Sequence, residues 1–244
     1  MITNTQSGTN VHEVTAGIYR INTPVTLPGG VGQFNFNQYL VLDDEPLLFH
    51  TGLRALFPVV SEAVRTLMPM EKLRYIGFSH FEADECGALN QFLAVAPRAV
   101  PVCSQVAALV SVGDYADRTP QGLADGEELL LGRHRMRWFD TPHTPHGWES
   151  GLMMDMTTRT LLCGDLFTQG GAGEVASTES DILGPSESFR APMDYYAHAP
   201  TTTGILERLA REHPTTLAVM HGSAWRGDGA KLLRELGNSL SKAA

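Results

Sequence analysis

The sequence predicts an α/β chain of the α+β sandwich type, a sheet-on-sheet core flanked by helices. Three observations predict it. Apolar residues alternate with period two through most of the first fifty residues, the mark of strands. The period switches to 3.6 over residues 53–68, and strand-like and helix-like runs alternate from there. The second half repeats that plan without a sequence repeat, low-complexity tract or linker, so a single domain over residues 1–244 is expected.

Residues 11–25 are β-branched and aromatic and end at the turn signal Pro28-Gly29-Gly30. Residues 34–42 alternate apolar side chains with Asn and Gln, and Asp43-Asp44 turns the chain into residues 46–50. These read as antiparallel strands. Leu56, Val60, Val64 and Leu67 then mark one face of a helix, followed by a strand over residues 73–78. Residues 87–95 read as a short helix, 99–102 as a strand and 104–112 as a helix. Strands are expected over 128–131 and 135–139, and a hairpin over 152–156 and 160–163 around Thr157-Thr158. Residues 170–185 read as a loop. Helical spacing over 195–212 is interrupted by Pro200, with Thr201 or Thr202 as N-cap. A strand over 217–220 and an amphipathic helix over 227–240 close the chain.

Composition narrows the function. Of 244 residues, 43% are apolar and 18% charged, an ordinary globular balance. A net charge of −9 with no basic stripe speaks against nucleic acid. The polar amino terminus lacks the basic start and apolar block of a secretory signal, and no apolar run is long enough for a bilayer. Cys86, Cys103 and Cys163 are odd in number and form no C-x-x-C, which fits reduced thiols in the cytoplasm.

The chemistry gathers at strand ends. Phe78-Ser-His-Phe-Glu-Ala-Asp-Glu-Cys-Gly87 sets His80, Glu82 and Asp84 at alternate positions, and on an extended backbone these project to one side. His143 and His146 follow a second strand, Asp165 ends a third and His221 a fourth. Four segments thus deliver metal-type ligands where the loops of a layered fold converge.

The ordered series His80, Glu82, Asp84, His146, Asp165 and His221 resembles the metallo-β-lactamase fold over nearly the whole chain. Within that fold it is similar to the di-iron branch, the flavodiiron and oxygen-binding di-iron proteins. The resemblance implies a four-layer αββα architecture. It also implies two irons, His80, Glu82 and His146 holding one, Asp84 and His221 the other, and Asp165 bridging. The zinc-hydrolase branch reads H-x-H-x-D-H, from which this chain departs at Glu82 and Glu85. Three histidines and three carboxylates make a harder donor set, suited to iron or manganese more than zinc. Of the four charges on two divalent ions, Glu82, Asp84 and Asp165 remove three.

Glu85 stands where many relatives carry a further histidine, so the second iron is expected to lack a protein ligand and to be open to O2 or NO. Glu85 is read as an acceptor for a ligating imidazole N–H, with coordination of its own as the alternative. The Thr-Pro-His-Thr-Pro register favours His143, while the spacing to Asp165 favours His146, which is chosen. His50 is read as supporting the site from outside, and Tyr195 as a residue of the pocket wall beside Tyr196. Cys86 and Cys163 are expected to be small buried thiols.

The leading expectation is a non-haem di-iron protein that binds dioxygen or NO and reduces it with an external donor, in sensing or defence. No flavin site is evident, so the flavodoxin-like module of the flavodiiron proteins is expected to be replaced by an electron donor or flavin-bearing partner. A homo-oligomer is expected, with neither nucleic acid nor membrane as partner. The alternatives are a dinuclear hydrolase of esters, thioesters or lactones using a metal-activated water, and a regulatory module switched by its metal state.

Overall fold

A computed structural model describes residues 1–30 and 32–243. Ala244, the last residue of the expected domain, lies outside the described residues. The first sheet takes its strands in chain order: β1 (Ile2–Asn4), β2 (Thr9–Thr15), β3 (Ile18–Leu27), β4 (Gly32–Val41), β5 (Leu47–Phe49), β6 (Tyr75–Gly77), β7 (Val100–Ser104) and β8 (Gln121–Leu123). Short turns join β1 to β5, which pair antiparallel; β5 to β8 pair parallel. Parallel neighbours need crossovers. Helix α1 (Phe57–Leu67) makes the first, α2 (Ala83–Cys86) and α3 (Leu89–Val95) the second, and α4 (Gln105–Ala107) with α5 (Gly113–Tyr115) the third.

The second sheet comprises β9 (Glu128–Leu130), β10 (Arg135–Asp140), β11 (Gly151–Asp155), β12 (Thr160–Leu162), β13 (Ser177–Thr178), β14 (Thr216–Ala218) and β15 (Ala224–Arg226). Its order is β13-β15-β14-β12-β11-β10-β9. The connection from β12 to its parallel neighbour β14 carries α6 (Leu183–Met193) and α7 (Thr202–Arg211), and α8 (Gly229–Ala243) follows β15.

Period-two alternation sorts the apolar side chains into three layers. Tyr39 and Val41 of β4 join Phe49 and Val102 against Met136, Trp138, Met153 and Leu162 between the sheets. Leu40, between them in sequence, faces the other way with Leu48 and Ile76, onto Val60 and Val64 of α1 and Phe92 of α3. Leu152, Met154, Leu161 and Leu217 pack on Leu206 and Leu209 of α7 and Leu233 and Leu236 of α8. The order is therefore helix, sheet, sheet, helix, as expected.

Two stretches depart from expectation. Residues 170–185 contain β13 and the start of α6, and helix does not begin at Tyr195 but at Thr202, with Thr201 at the N-cap position and no side-chain cap bond. The α6 sequence, Leu183-Gly-Pro-Ser-Glu-Ser-Phe-Arg-Ala-Pro-Met193, has little apolar period to read. Local ion pairs and a tertiary contact hold it instead: Arg190 bonds Glu187 and Asp194 along the helix, and Phe189 stacks on Phe34 at 5.4 Å. Strands β1, β8 and β15, three residues each, are defined by their partners, not by their own pattern. The three cysteines are buried and unpaired, and burial pushes the Cys86 thiol up to about 12. Among the described residues no helix is long and apolar enough to cross a membrane.

At the β11–β12 turn the buried Asp155 accepts from Thr157 N, Thr158 N and Thr158 Oγ1 and lies 2.8 Å from His134 Nδ1. The Asp155 hydrogen bond raises the His134 pKa against the effect of burial; burial opposes ionisation of Asp155, but that bond and the Thr158 hydroxyl hold its pKa low. The raised imidazole contributes fully below about pH 6.5 and fades as pH rises through its folded value. The lowered carboxylate contributes above about pH 3.9 and is lost as pH falls. His134→Gln is expected to cost about 1.5–3 kcal/mol near pH 5–6 and progressively less as pH rises, read from unfolding curves across pH. A difference that grows with pH contradicts the ion pair.

Candidate metal centre

Strand β6 ends at Gly77, and the chain then leaves the sheet. The run from His80 to Asp84 is accordingly not extended as expected: residues 79–82 form a bent loop, Glu82 sits extended at the N-cap of α2, and Asp84 and Glu85 occupy its first turn. The helix starts early because Cys86 N and Gly87 N bond back to Glu82 O and Ala83 O. His80 and Glu82 therefore face one half of the site, Asp84 the other.

The remaining side chains come from the second sheet. His146 lies on the loop between β10 and β11, Asp165 just after β12 and His221 just after β14. Gly164, at φ +50°, lets the Asp165 loop press against Ser79, whose Oγ lies 2.9 Å from where a Cβ would stand.

Asp165 joins two halves. Its Oδ2 lies 3.6 Å from His80 Nε2 and 3.5 Å from His146 Nε2, and its Oδ1 lies 3.2 Å from His221 Nε2. Glu82 reaches His146 Nε2 at 3.2 Å and His80 Nε2 at 3.6 Å, while Asp84 meets His221 Nε2 at 3.4 Å. Ligands ~2.1 Å from a shared ion stand roughly 3.0–3.4 Å apart, close to these separations. His80, Glu82 and His146 form one compact set, His80, Glu85 and Asp165 a second, and Glu82, Asp84 and Glu85 a third.

The electrostatics point the same way. His80 Nε2, both ring nitrogens of His146, Asp165 Oδ1 and both oxygens of Glu85 are buried without a hydrogen-bond partner. Such groups are costly inside a protein unless a cation meets them. Contacts with His146 and then His80 hold Glu82 down at about 2. Burial opposes ionisation of Asp165 and Asp84, yet the His221 contact lowers both. Burial likewise works against charged His221 and His146, but Asp165 and Asp84 lift His221 to about 9, and Glu82 and Asp165 raise His146. Glu85 goes the other way: burial, then the charges of Asp165 and Asp84, push it well above the carboxylate range. Protons stand in the cluster where positive charge is wanted, and the donor set fits divalent metal.

The imidazoles are oriented from behind. His221 Nδ1 donates to Asn35 O at 2.7 Å, which turns Nε2 into the cluster. His80 Nδ1 and His50 Nε2 each lie 3.0 Å from Ser79 Oγ, and Ser79 N donates to the same His50 nitrogen. Burial depresses His50 to about 3, so it stays a neutral acceptor. Tyr195 donates its hydroxyl to Asp165 O at 3.3 Å, its ring 6.2 Å from His146. His143 is exposed at φ +61° and joins none of these sets. Ser79 and Asn35 were missed in the sequence, as was Phe34, which stacks on His221 at 4.3 Å. The Asn residues in the otherwise apolar alternation of β4 were the available signal.

A two-sheet sandwich with helices outside and mixed imidazole–carboxylate donors at its strand ends defines a metallo-β-lactamase-like protein. The family model described as "ODP family beta lactamase" matches residues 34–221, and the chain belongs to that family. It is 24% identical over 210 residues to the anaerobic nitric oxide reductase flavorubredoxin of Salmonella arizonae, covering 82% of this chain and 43% of that protein. Rubredoxin oxygen:oxidoreductase of Desulfovibrio gigas superposes with TM-score 0.79 at 21% identity, over 94% of this chain and 62% of the other. The flavodiiron protein of Giardia intestinalis gives 0.77 at 19%, over 96% and 60%. The chain spans about half the length of the curated relatives it matches.

Ser79→Ala removes the hydroxyl between His80 and His50. The expected outcome is an intact circular dichroism spectrum with affinity for a divalent metal lowered about 10–100-fold, measured by chelator competition.

Proposed function

We propose that this chain, as a single domain over residues 1–244, is a non-haem di-iron protein. It binds dioxygen or NO and reduces the bound molecule when an external donor supplies electrons, in oxygen sensing or defence within the cytoplasm. The observation that carries the reading is Asp165, whose two oxygens face different histidine sets. His80, Glu82 and His146 would hold one iron and Asp84 and His221 the other, with Asp165 spanning the pair. Manganese is the next choice on donor hardness, then zinc.

Two ferrous ions, when bound, would supply the coordination position and the reducing electrons for a diatomic molecule. The protein's own residues set the conditions. Ser79 and Asn35 hold His80 and His221 in the tautomer that leaves Nε2 free to bind. Phe34 covers His221 and keeps water off that side, while the half-exposed Glu82 side chain leaves entry on the other. The Tyr195 hydroxyl keeps an O–H donor beside Asp165. An electron donor or flavin-bearing partner is the expected source of electrons; the flavorubredoxin and oxidoreductase relatives support that choice by their names.

Protein purified without oxygen is expected to carry two irons per chain and to gain a visible charge-transfer band on exposure to O2. Two zincs with esterase activity would replace this reading with the hydrolase. His146→Ala is expected to lose metal and His143→Ala to keep it; full retention in His146→Ala sinks the assignment. O2 uptake with an artificial reductant separates sustained reduction from binding of about one equivalent.

A further inference from the structure

Glu85 lies in the first turn of α2 with 0% of its surface exposed, and neither carboxylate oxygen has a hydrogen-bond partner. A carboxylate placed so deeply needs either a donor or a cation. A role as acceptor for the outer N–H of a ligating imidazole does not fit its position. The outer nitrogens of His80 and His221 are engaged by Ser79 Oγ and Asn35 O. Glu85 Oε1 lies instead 3.8 Å from His80 Nε2, the nitrogen that also faces Glu82 and Asp165. Among the described residues no other histidine nitrogen lies within 4.0 Å of it. Glu85 is thus on the inner side of the imidazoles.

The donors are also unequal without it. One half of the site has His80, Glu82, His146 and an oxygen of Asp165; the other has Asp84, His221 and the second oxygen. Glu85 belongs to two of the three compact donor sets, with His80 and Asp165 and with Glu82 and Asp84. We propose that Glu85 is itself a metal ligand, a further inner donor set between His80 and Asp165 on one side and Asp84 on the other. This rests on the two-metal reading above. It carries a consequence for the molecule bound: Glu82, Asp84, Glu85 and Asp165 together cancel the charge of two divalent ions. A neutral centre has no net pull on anions and suits a neutral diatomic ligand.

The test loads wild type, Glu85→Gln, Glu85→Ala and Glu85→His with Fe(II), and separately with Mn(II), under anaerobic conditions. Metal per chain, chelator competition and the melting temperature of metal-free and loaded protein are read. Wild type is expected to bind two ions. Glu85→Gln and Glu85→Ala should keep one and weaken the second by more than about 100-fold, beyond the range of residues that only orient ligands. Glu85→His, which offers a nitrogen in the same place, should recover it. Metal-free Glu85→Gln should melt at or above the wild-type temperature, because a buried carboxylate is gone, and should gain less from metal.

Two ions held in Glu85→Gln and Glu85→Ala with affinities within about tenfold of wild type overturn the ligand role and leave the two-metal reading standing. A lower metal-free melting temperature in Glu85→Gln with the full gain from metal does the same. Wild type that takes up no metal overturns the two-metal reading, and the ligand role with it.

Discussion

Where β14 runs out of sheet, its backbone carbonyls must find donors or stay costly, and the donors come from the opposite sheet. Val219 O accepts from Tyr39 Oη and Asn37 Nδ2, Met220 O from Asn37 N, and Gly222 O from Asn37 Nδ2 and Arg20 Nη2. Asn35 completes the set, accepting from Gly222 N on its side chain and from His221 on its carbonyl. This cross-sheet seam fixes residues 219–222 as a unit. His221 is held within it, and the rest of the cluster is built against His221 through Asp165.

The seam also shows what a sequence can and cannot convey. His80, Asp165 and His221 were legible because each follows an apolar run by a residue or two, and position at a strand end is a local property. His146 was separable from His143 by its spacing to Asp165 and by the Gly-Trp-Glu-Ser that follows it; in space one lies beside Glu82 and the other is exposed. Ser79, Asn35 and Phe34 were not legible, since their roles depend on partners far along the chain. The same holds for α6, whose weak apolar period gives way to Phe189 on Phe34 and to Glu187 accepting from Ser239 Oγ. The four layers could be read because alternation is local; the true path from His80 to Asp84 could not, because strand and helical turn both bring those residues near one another.

Charge offsets much of the crowding within the cluster as it stands. Glu82, Asp84 and Asp165 are held ionised by the histidines they face, while Glu85, facing no outer donor, is pushed toward its neutral form. The protein resolves crowding of four carboxylates by treating one differently. That difference arises from its full burial in α2 and from the neighbouring charges of Asp165 and Asp84.

The order of the cluster along the chain has a bearing on synthesis. Everything facing one half of Asp165, from His80 through His146, has been made by the time Asp165 itself emerges. The other half waits for His221 and for β14, which must pair with β12 and meet β4 before its histidine is aimed. The half of the cluster that faces His221 is therefore the last to be completed along the chain, and it depends on two strand contacts that the first half does not make.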